Sequence, residues 1–193
     1  MAVLLEILHC ADEPTWQRWL EANHDSSAGV SLAIAKKDST HSSVTYAEAL
    51  DVALCFGWID GQRNRLDDDH FLQNFGPRRP RSIWSQINRD KVAALTAAGR
   101  MTDAGQREID RARADGRWDA AYAAQSSTEL PADFAAAIEA SPAASAFFTT
   151  LTKQNRFALI FRTNNVKRAE TRARKITEYV AMLERGETIY PQR

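Results

Sequence analysis

Apolar positions in this chain change period along its length, and the change separates helix from strand. Trp16, Trp19 and Leu20 recur at i, i+3 and i+4, which predicts a helix over about Thr15–Asn23 with Asp12 or Thr15 as its cap. Val30, Leu32 and Ile34 then alternate with small or polar residues, as a half-buried strand requires. In TYAEALDVALCFGW the helical period returns: Tyr46, Leu50, Ala53 and Leu54 share a face, Thr45 and Glu48 fit a capping box, and Gly57 suits the stop. Ile59–Leu66 and His70–Phe75 read as two strands around the acidic turn Asp67–Asp69, and Pro77 and Pro80 stop the ladder.

From Trp84 onward the pattern is helical. One helix runs from about Ser85 to Ala98 and another from Thr102 to Gly116. Pro131 and Pro142 suit first helical turns, with Ser141 as a cap. A last helix covers about Val166–Arg185, and Asn164 and Asn165 interrupt the apolar pattern before it. QSSTELPA is the linker-like stretch. The expected fold is α+β, mostly helical: a body over 1–125 holding a small antiparallel sheet of about three strands, and a C-terminal helical module over 131–193.

Charge and cysteine usage narrow the function classes. Acidic and basic residues balance at 25 each, so no overall field marks a nucleic-acid or membrane protein. Cys10 and Cys55 lack metal spacing, the four histidines lack ligand spacing, and no HExxH, P-loop or GxGxxG occurs. No metal and no cofactor are expected. The N-terminal apolar run is broken by Glu6 and lacks a basic flank, and no apolar stretch is long enough to span a bilayer, so the expected location is cytoplasmic.

Three constellations could carry function. Around Trp58, alternation places Trp58, Asp60 and Gln62 on one strand face and Ile59, Gly61, Arg63 and Arg65 on the other. An aromatic beside a carboxylate could line a polar pocket; equally, Trp58 could pack on the core while Asp60 accepts local hydrogen bonds. In PRRPRSIWSQIN, Arg78, Arg79 and Arg81 crowd before a helix that Ser82 or Ser85 can cap, with Trp84 and Asn88 beside them. Arginine forks near the open amides of a helix start suit an anion, unless those arginines pair with Asp67–Asp69. In the tail, nine basic and three acidic residues lie between Lys153 and Arg185, and Arg168, Arg172 and Lys175 form a stripe. The stripe could meet nucleic acid or another anion, or be a solvated face.

The runs ALCFGWIDGQ, FGPRRPRSIWSQIN and DGRW, with the tail LPADFAAAIEASPAASAFF and VKRAETRARKITEYVAMLERG, resemble the YdeI/OmpD-associated family from about Trp16 to Gly186. The resemblance implies protection against bacteriocins and cationic antimicrobial peptides, with no implied reaction or cofactor. It also implies a periplasmic setting, at odds with the missing leader. Three readings follow. The first is binding of an anionic small molecule or protein partner through the arginine-rich loop. The second is an enzyme with Asp60, an arginine and Tyr46 in a cleft beside Trp58 and Trp84. The third is nucleic-acid binding through the C-terminal helix.

Overall fold

The computed structural model describes residues 5–122 and 129–192. The chain divides into two compact units, Met1–Ala121 and Tyr122–Arg193. Of the linker-like stretch, residues 125–128 lie outside the described residues.

The first unit runs β1 (Ile7–His9), α1 (Glu13–Asn23), β2 (Val30–Ala35), α2 (Tyr46–Cys55), β3 (Trp58–Arg65), β4 (His70–Pro77), α3 (Gln86–Ala97) and α4 (Asp103–Ala114). The fold is α+β, as expected, but the sheet has four strands in the order β1-β2-β4-β3. It is mixed rather than antiparallel, because β1 pairs in parallel with β2. β1 comes from the apolar N-terminal run, which is too short to announce a strand without its distant partner.

Register explains which face is buried. Val30, Leu32 and Ile34 lie opposite Phe75, Gln73 and Phe71, and directly paired residues share a face. That face packs on α1 and α2, with Trp16 fully buried and its ring 5.6 Å from Phe75. The other face carries smaller and more polar residues: Ser31, Ala33, Asn74 and Gly76.

Caps set the helix starts. Asp12 accepts from the Thr15 amide, and Thr45 and Glu48 complete the capping box. Ser85 and Thr102 cap α3 and α4. Gly105 lies inside α4, and a Cβ there would collide with the Cys55 carbonyl. Glycine thus lets α4 sit directly against the end of α2, where Thr102 also donates to that carbonyl at 2.6 Å. Cys10 and Cys55 are both free and buried, and burial, first of all causes, pushes each thiol up to about 11. They are core residues rather than reactive ones.

The second unit contains α5 (Ala132–Glu139), α6 (Pro142–Thr150), α7 (Lys153–Asn164) and α8 (Ala169–Glu184). Its core is built from Phe134, Ile138, Leu159, Ile176, Tyr179 and Leu183. Asn164 and Asn165 mark the end of α7, and α8 starts three residues later than the apolar pattern suggested. The buried Asn155 secures the chain end: its amide donates to the Tyr190 carbonyl at 3.1 Å and its Oδ1 accepts from the Tyr190 amide at 2.9 Å. No helix among the described residues is long and apolar enough to cross a membrane.

Candidate functional site

A bulge decides where the β3 side chains point. Asp60 pairs with Phe75 but Arg63 pairs with Gln73, so three steps on β3 match two on β4. The extra residue resets the alternation. Arg63 and Arg65 therefore fall on the same face as Trp58 and Asp60, opposite to strict alternation. The buried Gln73 side chain donates to the Gly61 carbonyl inside the bulge at 2.9 Å.

Trp58 is buried, and its indole donates to the His24 carbonyl at 3.1 Å. Asp60 accepts from the Tyr46 hydroxyl at 3.0 Å, which brings together two residues of the enzyme reading. Trp84 is elsewhere, fully buried, with its ring 4.9 Å from Trp118. The Arg63 guanidinium lies 3.6 Å over the Phe71 ring.

The arginine-rich segment splits in two. Arg78 turns inward and is only 5% exposed; its guanidinium sits 3.7 Å over Trp84 and donates to Ser82 Oγ at 3.3 Å. Arg79 and Arg81 are exposed, and their side chains make no hydrogen bond or ion pair among the described residues. The alternative partners are occupied elsewhere: Asp68 pairs with Arg65, Asp67 with His70, and Asp69 lies 3.8 Å from His41. Ser85 caps α3 by accepting from the Asn88 amide at 3.1 Å, so that helix start already has an internal acceptor.

Arg79 and Arg81 stand on the wall of a cavity of about 820 Å³ beside β3 and β4. Gly61 and Gly76 leave its floor low, and Ile59 and Leu5 add apolar surface. Asn74 lies in the same floor; its Oδ1 accepts from Ser31 at 2.7 Å, which leaves its amide N–H groups available. The groove thus combines two unpartnered guanidiniums and a side-chain amide with an apolar surface. Among the described residues, Asp60 is the one carboxylate in its walls.

In the basic stripe of the tail, folding engages the central residue with an acid. Arg172 forms a two-pronged pair with Asp133 at 2.6 and 2.8 Å and donates to the Thr163 carbonyl at 2.8 Å. The Arg172 hydrogen bond, above other causes, holds the Asp133 carboxyl below the usual carboxylate range. Lys175 lies 5.7 Å over the Tyr179 ring, and Arg174 pairs with Glu178. Arg168, the residue before α8, is exposed.

A family model described as a domain of unknown function (DUF8412) matches residues 8–108, just over half of the chain. The chain belongs to the DUF8412 family. A second model, described as Bacteriocin-protection, YdeI or OmpD-Associated (OmdA), matches residues 127–186. The resemblance to YdeI/OmpD-associated proteins, expected from Trp16 onward, is therefore carried by the tail, and the groove lies in the DUF8412 region. No curated protein and no solved structure matches the chain.

The DUF8412 unit also assembles groups that no sequence spacing foretold. Glu108 on α4 is buried, paired with Arg111 and 3.4 Å from Arg117. Burial pushes its carboxyl above the usual range, while Arg111, Arg117 and Arg78 pull it back. Three histidines also gather: the His70 ring lies 6.1 Å from His9 and 5.2 Å from His41. Register explains the first contact, because Ala33 and Ala35 separate His9 from His70 on one face. Among the described residues, no three His, Cys, Asp or Glu side chains are placed to hold a metal.

Proposed function

We propose that the DUF8412 unit binds an anionic small molecule in the groove beside β3 and β4, with Arg79 and Arg81 as the anion-reading groups. One observation carries this reading: two neighbouring guanidiniums reach the wall of a large cavity without an acidic partner. Arginine forks pair well with carboxylate and phosphate, and the volume suits a metabolite-sized ligand. The OmdA match of the tail supports a place for this binding in protection against bacteriocins. Nucleic-acid binding through α8 has less support, because Arg172 is held by Asp133.

Thermal-shift measurements with inorganic phosphate, a sugar phosphate, a nucleotide and a dicarboxylate test the proposal. At least one should raise the melting temperature of the wild-type chain. The rise should vanish in the Arg79→Ala/Arg81→Ala variant while its ligand-free melting temperature stays put. No rise with any of them, or an unchanged rise in the variant, removes the reading.

A further inference from the structure

A second cavity, of about 340 Å³, lies between the end of α1, the turn after α2 and helix α4. Close packing creates it. Gly57 has φ 73°, and a Cβ there would sit 3.0 Å from the Ala104 carbonyl and 3.3 Å from Glu108. The Gly57 turn and Gly105 together bring α4 against the chain here, so that Arg107 and Glu108 reach the same space as His24.

His24 is fixed from several directions. Its Nδ1 lies 2.9 Å from the Leu20 carbonyl, which can only accept, so the ring hydrogen belongs on Nδ1 and Nε2 presents a lone pair in the neutral ring. The ring packs 5.2 Å from Phe56, and Trp58 holds the His24 carbonyl. Asp25 Oδ2 is 3.3 Å from Nε2. In the neutral ring these are two adjacent acceptors with no hydrogen between them, and a bound hydroxyl or ammonium would supply one.

Arg107 completes the pattern. Glu108 is engaged by Arg111 and Arg117, and the Arg107 side chain makes no hydrogen bond or ion pair among the described residues. With His24 neutral, the cavity offers an open cation, a pair of acceptors and the apolar Phe56 wall. We infer that it binds a small carboxylate bearing a neighbouring hydroxyl or ammonium. Arg107 takes the carboxylate, His24 and Asp25 take the donor, and Phe56 faces the hydrocarbon. The volume suits a small acid.

Calorimetric titration of the full chain tests this with alanine, phenylalanine, lactate and 3-phenyllactate against propionate and 3-phenylpropionate. An amino or hydroxy acid should bind at least about tenfold tighter than its parent acid, the effect of one charge-assisted hydrogen bond. Arg107→Ala should weaken that binding by a similar factor. Asp25→Asn should weaken an amino acid more than a hydroxy acid, which tells the two donors apart. Both side chains are exposed, so folding is expected to survive, with circular dichroism as control. Absence of binding, equal binding of the parent acids, or indifference to Arg107→Ala overturns the inference. Arg79→Ala/Arg81→Ala should leave this binding intact; loss there but not in Arg107→Ala would assign the ligand to the groove and also overturn it.

Discussion

The arginine-rich segment before α3 and the helix α8 read alike in the sequence, since both crowd basic residues into a short stretch. Folding treats them differently. In α8 the central cation, Arg172, becomes an internal clamp on Asp133 and the Thr163 carbonyl. Before α3 only Arg78 is drawn inward, onto Trp84, while Arg79 and Arg81 stay without partners at the groove. Charge density in a sequence therefore does not measure charge available to a ligand. What matters is whether the fold brings an acid or a carbonyl within reach, and the hairpin carboxylates that could have done so are turned toward Arg65 and His70.

The comparison can be broken at the buried arginine first. Arg78→Ala would leave the Trp84 face uncovered and remove hydrogen bonds to Ser82 and Ile83, at a cost of about 3 kcal/mol. Urea denaturation checks this, and a loss well under 1 kcal/mol would mean that Arg78 is not structural. Arg172→Ala should cost about 1 kcal/mol, the upper end for a pair that retains exposure of 24% and 50%.

The same clamp carries a pH signature. Asp133 has its folded-state carboxyl lowered by Arg172, so the pair stabilises the fold above the unfolded value near 4 and loses that contribution as pH falls through the lower folded value. The melting-temperature gap between wild type and Arg172→Ala should be full at about pH 6 and should narrow below about pH 4, leaving the part owed to the Thr163 carbonyl. A gap that widens on acidification would contradict the assignment. The smallest effects belong to the open cations. Arg79→Ala, Arg81→Ala and Arg168→Ala should each change stability by no more than about 0.5 kcal/mol in the same denaturation experiment.

Helix starts were legible because caps are local: Asp12, Thr45 with Glu48, Ser85, Thr102 and Ser141 each act within three residues of themselves. Strand behaviour was less so. β1 gains its meaning only from β2, some two dozen residues on, and the bulge between Asp60 and Arg63 shows only in its pairing with β4. The arginines of the groove could be named from sequence, but not the outward course of two and the inward course of their neighbour. His24, Arg107 and Glu108 gave no signal, because they come from two helices far apart in the chain and meet only through the close approach at Gly57 and Gly105.

The most direct test of the central contrast is a proton–nitrogen correlation spectrum of the arginine Nε–H groups, recorded with and without an anion that stabilises the protein. Arg78 and Arg172 should exchange slowly with water and stay unmoved, while Arg79 and Arg81 should exchange fast and shift or gain protection when the anion is added. Protection of Arg79 and Arg81 before any anion is present, or anion-induced shifts confined to Arg168 and Arg172, would contradict the account.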